Sequence, residues 1–268
     1  SANIDVTYAI QYRAAGQEEW TEVTDLTIDD FPYYITEGIE AITNYEIKVG
    51  VLCSDAEEVL YINPITILTP CLALQTPWTE NFDEDPYTEP SCWKRYKGLI
   101  PASGQINTSN LTTSTSWSHS SSTTVGGQTS AMMRVNLWST TYRDWFVTPS
   151  INLADDGVAK QLAFDVGLRS YGSDAPPTAA PDDRFIFMVS LDNGISWNIA
   201  NGLVFADGDE DTEHNFSDLT NQMARYAYAL TDENEEPIVG TVRFAFYGES
   251  TVSNGDNYLC VDNIAVED

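Results

Sequence analysis

The chain has 268 residues, of which 41 are acidic and 12 basic, giving a formal charge of -29 at neutral pH with 42% hydrophobic and 12% aromatic residues. A field of that sign repels nucleic acid and anionic membrane surfaces and disfavours a phosphate-binding role. The apolar share suffices for a packed core and excludes global disorder, and the tryptophan, tyrosine and phenylalanine content favours strands over helices.

Residues 1–71 read as one unit. Residues 6–13 alternate as a strand should, Gly16 turns the chain toward 19–23, and 38–49 and 61–69 supply further strands. Residues 72–76 read as a linker, and 77–268 as a second unit. After Glu80 and Asp83 comes an acidic, Pro-punctuated loop, then a strand at 92–96. The stretch 102–130 is dense in Ser, Thr, Asn and Gly. Trp117 and Val125 interrupt it, so it reads as short strands and long loops. Better strands follow at 131–136, 144–149, 162–168, 240–247 and 258–266. The segment 219–230 comes nearest to a helical pattern and reads as a short surface helix or irregular chain.

The strongest local signal lies at 183–197. Phe185, Phe187 and Val189 alternate with Ile186, Met188 and Ser190, and Asn193-Gly194 is the dipeptide of a type I′ hairpin turn. Ser190, Asp192, Gly194, Ser196 and Trp197 spell S-x-D-x-G-x-S-W, the Asp-box. In that pattern the Asp holds the NH groups of the turn and the Trp packs beneath a hairpin. It is a structural signal.

The chain has four cysteines, Cys53, Cys71, Cys92 and Cys260, with no C-x-x-C pair, and two histidines. Zinc therefore has few ligands to draw on. An even cysteine count in an acidic, Ser/Thr-rich β chain points to two disulfides and an oxidising compartment, with three pairings open. There is no signal peptide and no apolar run of membrane length, so the chain reads as a piece of an exported protein.

His119 and His214 lie in polar and acidic surroundings and read as surface residues. No nucleophile elbow, phosphate loop, dinucleotide fingerprint or H-E-x-x-H helix occurs. A single Asp-box with scattered arginines argues against a sialidase. Trp117, Trp138, Tyr142 and Tyr171 are the aromatic residues placed in loops or at strand ends, where rings can stack on sugars. Trp93, Trp145 and Trp197 read as packing residues.

Two resemblances organise these marks. Tyr12-Arg13, Trp20 and Thr43-x-Tyr45-x-Ile47-x-Val49 resemble a fibronectin type III module, with the match starting at the third strand. The Cys53…Cys71 ending resembles the version found in exported proteins of Bacteroidetes-type bacteria, which implies a Cys53–Cys71 bridge. In the second unit the ordered set is Glu80-Asn81-Phe82-Asp83, Cys92-Trp93, Phe146-x-Thr148-Pro149, Leu162-x-Phe164-Asp165, the Asp-box and Leu259-x-Val261-Asp262-Asn263-Ile264. It resembles the MAM-like jelly rolls of cleaved-adhesin and choice-of-anchor domains.

That second resemblance implies adjacent first and last strands, a structural Ca²⁺ with Glu80, Asp83, Asp262 and more weakly Asp165 at the matching positions, and a Cys92–Cys260 bridge. A Cys71–Cys92 bridge across the linker is the alternative. The expected fold is all-β, with two β-sandwich domains, a partial fibronectin-III-like sandwich and a larger MAM-like or galactose-binding-like jelly roll. The expected function is non-catalytic adhesion or ligand binding at a cell surface or in secretion, by a monomer, with extracellular carbohydrate or host or matrix protein as partner. Accessory modules of a larger secreted peptidase or glycosidase, or a structural spacer, are the alternatives.

Overall fold

The computed structural model describes residues 6–35, 38–53, 56–84, 87, 92–208 and 212–268. Most of the acidic loop before Cys92 lies outside the described residues. The chain forms two compact units, Ser1–Leu72 and Ala73–Asp268.

In the first unit, β1 (Val6–Ala14), β2 (Thr21–Leu26), β3 (Asn44–Cys53), β4 (Leu60–Tyr61) and β5 (Ile65–Leu68) form one antiparallel sheet. Its order is β2-β1-β3, and β4 and β5 both pair with β3. Pro64 lacks a ladder donor and falls between β4 and β5, so the expected single strand over 61–69 is broken. Alternation along β1 and β3 buries Ile10, Tyr12 and Tyr45. The Tyr45 hydroxyl accepts the Glu40 NH at 3.0 Å and donates to the Gly38 carbonyl at 3.4 Å. It thus ties the strand to chain just upstream, as a tyrosine corner does. The face around Tyr12, Tyr33, Ile39, Tyr45 and Ile67 is an open apolar groove of about 400 Å³.

The second unit contains β6 (Leu74–Gln75), β7 (Trp78–Glu80), β8 (Lys94–Lys97), β9 (Gln105–Asn107), β10 (Thr112–Thr113), β11 (Ser118–Val125), β12 (Gln128–Leu137) and β13 (Tyr142–Val147). It continues with β14 (Ile151–Leu153), β15 (Lys160–Ser170), β16 (Arg184–Ser190), β17 (Ser196–Asn198), β18 (Gly202–Ala206), β19 (Ala224–Leu230), β20 (Gly240–Ser250) and β21 (Asn257–Glu267). Two sheets face each other. In the eight-stranded one, β20 is flanked by β13 and β14 on one side and β16 on the other. In the six-stranded one, β21 is flanked by β15 on one side and by β12 and β7, end to end, on the other. The start and end of the sandwich, β7 and β21, are therefore neighbours.

The two inner faces meet over Phe146, Phe164, Phe185, Phe187, Phe244 and Phe246, all buried. Each such side chain contributes roughly 1.5–3 kcal/mol by leaving water. The other face of the eight-stranded sheet is also apolar. Trp145, Ile186, Met188 and Tyr247 form a second cluster there, closed by Ile100, Ile106 and Trp197.

Four sequence expectations change here. Within 72–76, β6 pairs in parallel with β14, so that stretch is not a free linker. Residues 224–230 form a strand rather than a helix, because Tyr226 and Tyr228 recur at period two and pack against the core.

The Asp-box does not make a two-residue hairpin. Asn193 and Gly194 do adopt positive φ, 58° and 86°. Asp192 Oδ1, however, takes the NH groups of Ile195 and Ser196 at 3.0 and 2.9 Å, and the Ser190 hydroxyl takes that of Gly194 at 2.8 Å. Side chains thus close the turn. β17 leaves to pair with β9 while β18 becomes the partner of β16. Trp197 lies under the turn as expected and donates to the Thr108 hydroxyl at 2.8 Å.

The cysteine pairing also differs. Cys71 and Cys92 are disulfide-bonded, and Cys53 and Cys260 are free thiols. Neither expected bridge, Cys53–Cys71 or Cys92–Cys260, is present. Leu68 pairs with Asn44 at the start of β3, whereas Cys53 is the last residue of that strand. Cys53 thus sits about 30 Å, at roughly 3.4 Å per residue, from the end that Cys71 follows. Cys92 precedes β8 of the eight-stranded sheet, while Cys260 lies on β21 of the other sheet, packed against Val125 and Met132. Burial pushes the Cys260 thiol up to about 12. Native, unreduced protein is expected to give one thiol to Ellman's reagent, from Cys53, and two after unfolding in guanidinium. No thiol after unfolding would mean the pairing is wrong.

Candidate functional site

One end of the second unit gathers three connections: 138–141 between β12 and β13, 171–183 between β15 and β16, and 251–256 between β20 and β21. The register brings them together, since Asn257 at the start of β21 lies opposite both Leu137 and Ser170. Side chains then hold the loops to one another. Asp182 accepts from the NH and hydroxyl of Thr251, the Val252 NH and the Asn254 amide, at 2.7–2.9 Å. Those bonds outweigh burial and hold its carboxyl below the usual range. Asn257 exchanges two hydrogen bonds with the Thr178 backbone, at 2.7 and 2.8 Å. The Ser253 hydroxyl donates to the Trp138 carbonyl at 3.2 Å, and the Tyr171 NH to that of Asp256 at 2.9 Å.

Three of the four aromatic residues singled out from the sequence stand at this end. Trp138, 46% exposed, lies against Tyr142 with ring centroids 6.1 Å apart and its indole NH donating to the Tyr142 hydroxyl at 2.6 Å. Tyr171, 52% exposed, lies 5.1 Å from the ring of Tyr258. Trp117 does not belong here. It is fully buried against Phe146, and its indole NH binds the Asp144 carbonyl at 3.0 Å. Its polar neighbours in sequence disguised a core residue.

Beside the loop end, the outer face of the six-stranded sheet carries residues that sequence reading passed over. Met133, Val135 and Leu137 point into the core, so alternation sends Arg134 and Asn136 outward. Asn136, Tyr258 and Arg169 share one row across β12, β21 and β15. The guanidinium carbons of Arg134 and Arg169 lie 4.4 and 5.6 Å from the Tyr258 ring centroid. The available signal was the placement of scarce basic residues at outward positions of otherwise apolar strands.

The carboxylates expected to hold a cation converge in part. Asp165 and Asp262 are cross-strand partners, and Glu80 lies opposite Ile264 on the same strand as Asp262. Burial pushes buried Asp262 up to about 6. Hydrogen bonds from the Ser130 hydroxyl at 2.8 Å and the Asn263 NH at 2.7 Å oppose this, and Asp83 and Asp165 add repulsion. Much of the set is already engaged. Asp165 meets Arg225 at 3.3 Å and the Asn263 amide at 2.8 Å, while Glu80 accepts the Phe82 NH at 2.8 Å. Among the described residues no three His, Cys, Asp or Glu side chains are arranged to hold a metal ion.

Both histidines are packing residues rather than free surface groups. His119 lies on β11, stacks on Tyr87 at 3.9 Å and bonds the Phe82 carbonyl at 3.0 Å, while His214 stacks on Phe205 at 4.7 Å. No described helix is long and apolar enough to cross a membrane.

No family model matches the chain, and no curated protein matches it. Among solved structures, the K3 cleaved adhesin domain of Lys-gingipain from Porphyromonas gingivalis is similar over 71% of this chain and 98% of its own, at 15% identity and a TM-score of 0.36. A carbohydrate-binding module of the β-sandwich superfamily is similar over 99% and 87%, at 10% identity and 0.35. A xylan-binding module is similar over 71% and 96%, at 10% identity and 0.33. TM-scores of this size carry no argument, so the sandwich rests on its own strands and registers.

The loop end also buries a carboxyl group. Asp183, 2% exposed, begins the entry into β16, and neither carboxylate oxygen receives a well-formed hydrogen bond. Burial pushes its carboxyl from 3.8 up to about 7, the nearby Ser250 hydroxyl opposes the rise, and Asp182 and Glu249 add to it. Between about pH 4 and 7 the unfolded chain gives up this proton before the folded one does. Stability therefore falls as pH rises, by up to about 1.4 kcal/mol per unit. Asp183→Asn is expected to match the parent in urea unfolding at pH 4 and to exceed it by about 2–4 kcal/mol at pH 8. Equal stability at pH 8 would show that the charge is compensated.

Proposed function

We propose that this chain is a non-catalytic ligand-binding part of a secreted or cell-surface protein, and that its second unit takes extracellular carbohydrate. The observation that carries this reading is the two aromatic pairs at one end of the sandwich, exposed Trp138 on half-buried Tyr142 and exposed Tyr171 on half-buried Tyr258. Tyrosine and tryptophan offer wide apolar faces with a polar edge, which suits the mixed surface of a sugar. The Asp182 and Asn257 hydrogen bonds fix the supporting loops beforehand, so little ordering cost falls on binding. A non-catalytic role is supported by the histidines, both engaged in ring stacking.

The finer reading is a fibronectin-III-like sheet followed by a MAM-like jelly roll of the adhesin type. The Tyr45 hydrogen bonds support the first part, and the β7–β21 pairing supports the second. Ca²⁺ belongs to the same proposal. Asp83 and Asp165 each act against the charge on Asp262, and a hard cation relieves that repulsion with oxygen ligands.

Trp138→Ala and Tyr171→Ala are each expected to weaken binding to a saccharide selected on a glycan array by about tenfold, with the unfolding midpoint unchanged. Undiminished binding in both variants would move the site elsewhere. Thermal unfolding with excess Ca²⁺ is expected to show a higher midpoint than unfolding in EGTA, since a ligand of the folded state alone stabilises by mass action, about 2.7 kcal/mol at a hundredfold excess over Kd. Asp262→Asn is expected to abolish the shift. An unshifted parent protein removes the metal from the proposal.

A further inference from the structure

In a chain with 41 acidic residues, arginines find carboxylates readily. Arg13, Arg143, Arg184 and Arg225 each do so, and Arg243 binds the Asn193 amide oxygen and the Thr148 carbonyl instead. Arg134 and Arg169 have no such partner among the described residues, although they stack on the same tyrosine. Each donates once to the β11 edge, Arg134 to the Thr123 hydroxyl at 3.2 Å and Arg169 to the Thr124 carbonyl at 3.0 Å.

Arg169 is only 9% exposed, and its Nε has no hydrogen-bond partner. The Nε of Arg134 and the Oδ1 of Asn136 are buried and unpaired as well. Unmet buried polar atoms are rare because each forfeits its bonds to water. Here three of them sit around one half-buried tyrosine. Asp174, in the adjoining loop, does not neutralise the arginines, because its two oxygens are spent on the NH groups of Gly126 and Gly127 at 2.8 and 2.7 Å.

We infer that the cluster of Arg134 and Arg169 about Tyr258 holds the carboxylate of an acidic sugar, a uronic acid residue of a polysaccharide. This rests on the carbohydrate reading above and names the ligand class for that surface. Two guanidinium groups match the oxygens of a carboxylate. Tyr171, 52% exposed beside Tyr258, supplies the ring contact. The -29 field opposes any anion at long range, but it is screened beyond about 8 Å at physiological salt while the arginines act at contact.

The test is calorimetric titration of the whole chain with trigalacturonate and with neutral galactotriose, using the parent, Arg134→Gln and Arg169→Lys. The parent is expected to bind the acidic probe at least tenfold more tightly. Arg134→Gln is expected to erase that preference while keeping the neutral affinity, and Arg169→Lys, which keeps the charge and loses the fork, to reduce it. Equal affinity of the parent for both probes overturns the acidic-sugar inference and leaves the carbohydrate reading standing. Equal loss of both probes in Arg134→Gln assigns the arginine a structural role and also overturns it. Binding of neither probe overturns the inference together with that reading of the surface.

Discussion

The loop end of the second unit depends on the register of β21 against β12 and β15. In a strand the side chains alternate, so a slip of one residue would exchange the two faces completely. The observed pairing puts Leu259 and Val261 into the aromatic core and leaves Tyr258 on the outer face between Asn136 and Arg169. The core enforces this choice, because the opposite register would bury an arginine row and expose the apolar set. The unmet polar groups on the outer face are thus held in place by the packing beneath them.

That outer face has three zones with different chemistry. Near the loop end stand the stacked arginines and tyrosines. In the middle, Val125, Met132 and Cys260 seal the sheet with a small apolar cluster. Beyond it, Asp165 and Asp262 face each other with Arg225 and Asn263 close by. The apolar middle keeps the cationic and anionic zones apart. Without it, Arg134 and Arg169 would have carboxylates within reach and would have formed ordinary ion pairs, which at an exposed site contribute little.

The loop end is ordered by carboxylates used as hydrogen-bond acceptors. Asp182 and Asp174 each collect backbone NH groups, as does Asp192 at the Asp-box turn. A large acidic excess is therefore in part a way of building turns without helices. Asp183 is the exception. It enters the core at the head of β16 with only the Ser250 hydroxyl nearby, so its burial makes stability at this end fall as pH rises.

What the sequence by itself determined was local. Alternation of Phe185, Phe187 and Val189 with Ile186 and Met188 marked a strand apolar on one or both faces, and the Asp-box named its own turn, because Ser190, Asp192 and Ser196 bond within a few residues of chain. The all-β character followed from composition and period. Long-range partners were decided only by the tertiary structure. Cys53 lies at the wrong end of β3 for Cys71, Trp117 is carried into the core from a polar stretch, and 196–198 pair with 105–107 instead of returning along β16. The same holds for the candidate site. Tyr171 and Trp138 were visible as strand-end aromatics, but Arg134, Asn136, Arg169 and Tyr258 come from three strands far apart in sequence. Only cross-strand register makes them neighbours, and register is set by the sum of core contacts rather than by any local signal.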